Sequence, residues 1–167
     1  MKRYFFVFVT AFSLACGLSA HEDFIGLLIN DIEKESSPSH AKTEEYNCIT
    51  VSPTMIDKVL DVADESEDKD TEQLKKILPH IKSLRIFETQ QKIPYYDNAI
   101  RNLLTKNKAR YKSYRAYRGQ KNSNVWLRKN NDNVIEIIIL SNKEDKLKVV
   151  NFTGNMTTDF VTELMKM

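Results

Sequence analysis

One stretch of the sequence, residues 98–131, carries many basic and aromatic side chains and no acidic residue. Cations bind phosphate and carboxylate groups and aromatic faces stack on rings, so this composition is typical of a surface that binds a polyanion. The residues expected to form that surface are Arg110, Arg115, Tyr117, Arg118, Trp126 and Arg128. The alternative is a solvated sheet edge, whose cations discourage pairing with another strand and whose tyrosines are ordinary strand residues. Alternation along a strand would divide the charges between two faces, which favours this alternative.

A second group of charges, the acidic run between Asp61 and Asp70, has the alternating spacing of calcium ligands. An EF-hand loop that begins at Asp64 needs Gly and Glu at two later positions, where this chain has Lys69 and Lys75. The run is therefore interpreted as a solvated loop that joins two helices.

Signals for catalysis are weak. The histidines His21, His40 and His80 are far apart and lack the spacing of metal ligands, and the sequence contains neither a G-x-S-x-G turn nor a glycine-rich phosphate loop. The carboxylates in the most apolar surroundings are Asp97 and Glu136, which could act as an acid–base pair only in one cleft. The simpler interpretation is a first-turn helix charge for Asp97 and a strand pairing or an edge position for Glu136. The sequence predicts no enzyme, no cofactor and no metal.

The elements that would position these side chains follow from hydrophobic periodicity. Apolar residues spaced three and four apart predict helices around residues 24–32, 53–63, 71–78, 94–104 and 158–165. Ser52 followed by Pro53 indicates a helix start, Pro79 a helix end, and Thr157 or Thr158 caps the last helix. The polar residues 35–44 are predicted to form a loop.

Strands are predicted from period-two patterns and β-rich runs at residues 46–51, 81–88, 111–118, 125–129, 134–140 and 147–152. Short polar turns separate the last four, which predicts an antiparallel meander. Residues 134–140 are apolar on both faces, so they should form a central, covered strand. Gly154 and Asn155 are expected to turn the chain. The predicted fold is an α+β domain with helices packed on a largely antiparallel sheet.

The first twenty residues indicate the compartment. Lys2 and Arg3 precede an apolar run and then small residues, in the order of a signal peptide, and they account for the formal net charge of +2. The run is shorter than the roughly 20 apolar residues of a membrane-spanning helix. Cleavage after Ala20 would leave one domain, residues 21–167, with Cys48 as the only cysteine and no intramolecular disulfide. Cleavage before Cys16 would leave a lipid-modified N-terminus instead, and both routes stay open.

The chain resembles the domain of unknown function 4252 family. The resemblance rests on ITVSPTM at residues 49–55, on LKKILPHIKSLRIF at residues 74–87, and on residues 134–157. It implies an exported protein or lipoprotein of Bacteroidetes-type bacteria with an α+β domain. It implies no assigned reaction, and no functional residues carry over to this chain.

These features together predict a non-enzymatic exported protein, periplasmic or in the cell envelope, that binds or senses a partner. Export removes nucleic acid as the expected partner of the basic stretch, which leaves an anionic envelope component or another envelope protein. One alternative is an envelope hydrolase or transferase, which predicts a deep pocket that joins Asp97, Glu136 or a histidine. Another is a structural subunit whose exposed apolar patch is covered by a partner or a second copy.

Overall fold

The structure is a computed structural model that describes residues 22–35, 45–64, 72, 75–115, 124–143 and 145–165. The predicted signal peptide with Cys16, and residues 36–44 of the predicted loop, lie outside the described residues. The elements in chain order are α1 (Phe24–Glu35), β1 (Asn47–Val51), α2 (Pro53–Asp64), a 3₁₀ helix (Leu78–His80), β2 (Ile81–Thr89), α3 (Ile93–Lys106), β3 (Lys112–Tyr114), β4 (Val125–Asn130), β5 (Asn133–Lys143), β6 (Lys146–Met156) and α4 (Thr158–Leu164).

The strands form a six-stranded sheet in the order β1-β2-β6-β5-β4-β3, in which every neighbouring pair is antiparallel. The predicted α+β class and the C-terminal meander are confirmed, since β3 to β6 are successive neighbours. The last strand of the meander, β6, also pairs with β2 and so joins the N-terminal strands to the meander.

Helices cover both faces of the sheet. On the front face, α1 and α3 pack on Phe87, Ile138 and Val149. On the back face, α4 packs on residues that include Leu127 and Ile137. Strand β5 contributes buried side chains to both faces because Ile137 and Ile138 point in opposite directions. The predicted central, covered strand is confirmed.

The hairpin between β4 and β5 shows how a short turn sets the register. Asn130 pairs with Asn133 across a two-residue turn, in which Asn131 has a φ of 53°. Asparagine tolerates this left-handed conformation, which tight hairpins require. A bulge between Arg128 and Lys129 then shifts the pairing by one residue, so Arg128 lies opposite Glu136.

Two boundary predictions are wrong. Gly154 and Asn155 do not turn the chain, because β6 continues to Met156. Gly154 is needed for a close approach instead: a Cβ atom there would lie 2.0 Å from the carbonyl oxygen of His80. Strand β3 covers only Lys112–Tyr114 rather than residues 111–118, of which 116–118 lie outside the described part.

The helix predictions agree better with the structure. On α3 the apolar residues with the helical spacing are all buried, namely Tyr96, Ile100, Leu103 and Leu104. On α1 the buried residues are Phe24, Ile25, Leu28 and Ile32, while Leu27 is half-buried. Residues 75–77 are helical, and Pro79 lies within the 3₁₀ helix that leads directly into β2. Within the described ranges, no helix is long and apolar enough to cross a membrane.

Candidate functional site

A groove of about 540 Å³ lies between the C-terminal half of α3 and the edge of the sheet formed by β3 and β4. Its cationic lining residues are Arg101, Lys108 and Lys112, and the half-buried Trp126 is part of its aromatic lining. We call this hollow the basic groove. The edge strand β3 is short, so α3 and the chain that follows it supply most of the cationic side.

Within the described part of the chain, only one of the three cations in the basic groove has a counter-charge. The Nε of Arg101 donates to Asp97 Oδ2 at 2.7 Å, an i, i+4 pair along α3. Lys108 and Lys112 are exposed, and neither forms an ion pair with any residue that the structure describes. Their uncompensated charges make the groove attractive to anions, with a strength that depends on salt.

Trp126 gives the basic groove an apolar wall. It lies on the front face of β4, opposite Ser113 of β3, and is half-buried against the core formed with α1 and α3. A rigid, partly exposed indole beside lysines can contact the ring or hydrocarbon chain of a ligand, while the lysines bind the charged group of the same ligand.

The cationic surface continues around the edge strand. A second hollow of about 360 Å³ lies on the other side of β3, and its lining includes Arg110, Lys112 and Lys129. Lys112 therefore borders both hollows, and a ligand longer than one headgroup could contact both.

Some residues of the predicted binding surface interact with the chain itself. The Nη2 of Arg110 donates to the carbonyl oxygen of Glu22 at 2.6 Å, and its guanidinium lies 5.3 Å from the centre of the Tyr111 ring. Arg128 forms an ion pair with Glu136, and only 12% of its side chain is exposed. The guanidinium of Arg128 is thus not a free ligand of an external anion, whereas Arg110 is held in place by a neutral carbonyl and keeps its charge.

The other four residues of the predicted binding surface do not lie together in one place. Trp126 lies in the basic groove, and Arg115 is exposed just beyond β3. Tyr117 and Arg118 lie outside the described residues. The prediction of individual site residues omitted Arg101 and Lys108, because Lys108 follows the end of α3 and only the fold brings it beside Arg101.

Glu136 lies at the centre of a buried polar cluster at the start of α1. The backbone N–H of Phe24 donates to its Oε1 at 2.6 Å, and Asn151 Nδ2 donates to the same oxygen at 3.1 Å. The hydroxyl of Tyr111 donates to Oε2 at 3.5 Å. Burial, and then the charge of Glu136, raise the pKa of Tyr111 well above that of an ordinary tyrosine. A carboxylate at a helix N-terminus is favourable, so the cluster fastens α1 to the sheet.

The residues weighed for acid–base chemistry do not converge among the described residues. Asp97 lies in the second turn of α3, so its predicted first-turn position is wrong. Of the two roles offered for Glu136, the strand pairing is confirmed and its partner is Arg128; the edge position is wrong because β5 is an interior strand. The His80 ring packs on Phe160, with 5.1 Å between ring centres. Over the same part of the chain, no cluster of histidine, cysteine and carboxylate side chains could hold a metal ion.

The fold and groove define a class: an α+β domain with helices on both faces of an antiparallel sheet and a cationic groove at one sheet edge. The family model described as Domain of unknown function (DUF4252) matches residues 41–164. The chain belongs to this family, which confirms the resemblance seen in the sequence. The comparisons with curated proteins and with solved structures give no match.

Proposed function

We propose that this protein is an exported, non-enzymatic binding module of the cell envelope that takes an anionic ligand in the basic groove. The observation that carries the proposal is that Lys108 and Lys112, which form no ion pair with a described residue, line the same groove as the half-buried Trp126. The signal-type leader supports export, and export leaves envelope anions as the available ligands.

The chemistry of the groove fits binding better than catalysis. Its described lining residues supply cations, hydroxyl groups, a leucine and aromatic rings, and none of them is a carboxylate or a histidine. A general acid or base would therefore have to come from outside the groove. The ligand that matches the groove carries a phosphate or carboxylate group next to an apolar ring or chain. A lipid headgroup and an acidic glycan both offer that chemistry.

The test uses Trp126 as its own reporter, because it is the only tryptophan in the chain. Its fluorescence is followed while the mature protein is titrated with phosphatidylglycerol vesicles in one arm and with polygalacturonate in the other. Phosphatidylcholine vesicles and dextran are the uncharged controls. A saturable change in one anionic arm, weakened by salt, identifies the source of the ligand. An unchanged signal in both arms would overturn the proposal.

A pair of charge variants locates the binding. Lys108→Gln with Lys112→Gln should weaken binding about 30-fold, since each cation near an anionic surface contributes about 1 kcal/mol. Lys34→Gln with Lys143→Gln removes the same charge from exposed positions away from the groove. An equal loss in both double variants would show that net charge, and not the groove, binds the anion.

Export and anchoring need a separate measurement. The intact mass of the native protein distinguishes a chain that begins at His21 from one that begins at an acylated Cys16. A mass equal to the full-length chain, with Met1 present, would contradict export.

A further inference from the structure

The edge strand β3 lies between the basic groove and the hollow of about 360 Å³ on the other face of the sheet, which we call the back hollow. Trp126 packs against the front-face core and lines the basic groove. Its neighbour Leu127 belongs to the back-face core and lines the back hollow. Lys112 and Ser113 of β3 line both hollows. A ligand that passes over β3 would therefore contact one continuous cationic surface.

The outer edge of β3 is free in the part of the chain that the structure describes. This strand is the last of the sheet and pairs on one side, with β4. The segment that connects β3 to β4 begins beyond Tyr114, whereas Arg110 and Lys129 lie beyond the opposite end of the paired residues, past Lys112. The cations of the back hollow are thus at the end of the strand pair away from that connection.

The cations of the back hollow keep their charges. Arg110 donates to the carbonyl oxygen of Glu22, and Lys129 Nζ donates to Thr158 Oγ1 at 3.0 Å, so both partners are neutral. Neither hollow has a carboxylate among its described lining residues. The exposed carboxylates of neighbouring segments lie outside both linings, namely Glu22, Asp132, Asp159 and Glu163. Of the cations that line the two hollows, only Arg101 has a carboxylate partner among the described residues.

We propose that the ligand of the basic groove is a linear acidic glycan that crosses the edge at β3 and places anionic groups in both hollows at once. This inference rests on the proposed function, because it extends the ligand of the basic groove. Repeated carboxylates would meet Lys108 on the front and Lys129 on the back, with Lys112 between them. The apolar face of a sugar ring can pack on Trp126, and exposed Ser113 offers a hydroxyl group to the sugar hydroxyls.

The position of the hollows on opposite faces favours a polymer chain over a membrane surface. Stacked sheets lie about 10 Å apart, so side chains reach roughly 5 Å from each face, and a ligand must span roughly 10 Å to contact both faces. A bilayer presents its headgroups in one plane. A linear polymer can bend around an exposed strand edge and cover this distance, and a single sugar ring cannot.

Simultaneous contact with both hollows predicts a steep dependence of affinity on ligand length. A ligand that occupies two linked sites binds about 10²–10⁴-fold more tightly than it binds either site alone. Repetition without a second site gives less, because a hexamer offers about six equivalent groups and gains only about sixfold. Hexagalacturonate should therefore bind at least about 100-fold more tightly than galacturonate.

The test follows the fluorescence of Trp126, which reports occupancy of the basic groove, while a substitution is made in the back hollow. Lys129→Gln should weaken the binding of hexagalacturonate about fivefold, since one exposed ion pair is lost, and leave the binding of galacturonate unchanged. Lys143→Gln removes the same charge from an exposed position outside both linings and should change neither. A monomer that binds too weakly to measure agrees with the expected length dependence, and the two hexamer titrations then decide.

The outcomes separate this inference from the proposed function. Equal effects of Lys129→Gln and Lys143→Gln on hexagalacturonate would overturn the crossing of β3 and leave the basic groove as the binding site. A response to phosphatidylglycerol vesicles without one to hexagalacturonate would overturn the glycan and keep the proposed function. Polyglutamate bound as tightly as hexagalacturonate would overturn the sugar ring as part of the ligand. The absence of a response to every anion would overturn both proposals.

Discussion

Arg128 and Glu136 form a buried ion pair across the β4–β5 hairpin, with 2.6 Å between Nε and Oε2. Glu136 has no exposed surface. Burial of two charges is costly unless hydrogen bonds satisfy the remaining atoms. The N–H of Phe24 and the amide of Asn151 do so at Oε1, and the pair thereby links α1 to three adjacent strands.

Arg128→Met should lower the free energy of unfolding by about 3–5 kcal/mol, because it leaves the Glu136 carboxylate buried without its cation. Urea unfolding followed by circular dichroism measures the loss. Arg115→Met is the matched control: Arg115 is exposed and forms no ion pair with a described residue, so the expected change is within about 0.5 kcal/mol. Similar losses in both variants would show that the pair is not a stabilising element.

Glu136→Gln added to Arg128→Met should recover part of that stability. The amide removes the unpaired charge and keeps an oxygen that can accept from Phe24 and Asn151. The same urea experiment on the double variant measures the recovery. A double variant less stable than Arg128→Met alone would mean that Glu136 acts through hydrogen bonds rather than charge.

Stability should fall at alkaline pH because of Tyr111, whose pKa is raised from its ordinary value by burial and by Glu136. Above pH about 10 the unfolded tyrosine loses its proton while the folded one keeps it, so unfolding releases a proton and becomes easier as pH rises. Tyr111→Phe removes this contribution and keeps the ring that packs on Phe24. Urea midpoints from pH 8 to about 11.5 should therefore decline less steeply in the variant. Parallel curves would contradict the assignment.

The same hairpin shows what the sequence can and cannot predict. Periodicity identified both strands, and the polar turn at Asn131 identified their connection. Regular pairing from that turn would place Arg128 opposite Ile135. The bulge next to Arg128 places it opposite Glu136 instead, which changed a predicted surface cation into a buried partner.

The sequence pattern also could not predict which segments, far apart in the chain, pack against each other. The sequence shows that Lys108 and Lys112 are charged. Only the packing of α3 beside β3 and β4 shows that both line one groove with Trp126. Gly154 followed by Asn155 has the composition of a turn. The actual constraint at Gly154 is the close approach of the His80 backbone, which lies more than seventy residues earlier in the chain.

Thr157→Ala should lower the free energy of unfolding by about 1 kcal/mol, since the hydroxyl of Thr157 accepts from the N–H of Phe160 at 3.1 Å and caps α4. This confirms one of the two caps predicted from the sequence. Thr158→Ala is the matched control, because among the described residues its hydroxyl accepts one exposed hydrogen bond, from Lys129, and caps no backbone N–H. Urea unfolding compares the two, and an equal effect would contradict the cap.

Gly154→Ala should lower the free energy of unfolding, although it adds only one methyl group. The new Cβ atom would lie 2.0 Å from the His80 carbonyl oxygen, and backbone cannot move aside as a flexible side chain can. Overpacking of this kind costs about 1–3 kcal/mol. Gly26→Ala is the informative comparison. Its Cβ atom would meet only side-chain atoms, of Glu22, Asp23 and Arg85, which can move aside, and Gly26 lies in α1, where alanine is favoured over glycine by about 1 kcal/mol. Thermal unfolding should place the Gly154 variant several degrees below the Gly26 variant. If Gly154→Ala were neutral, the 3₁₀ helix could move away from β6, which would contradict a tight contact between the two backbones.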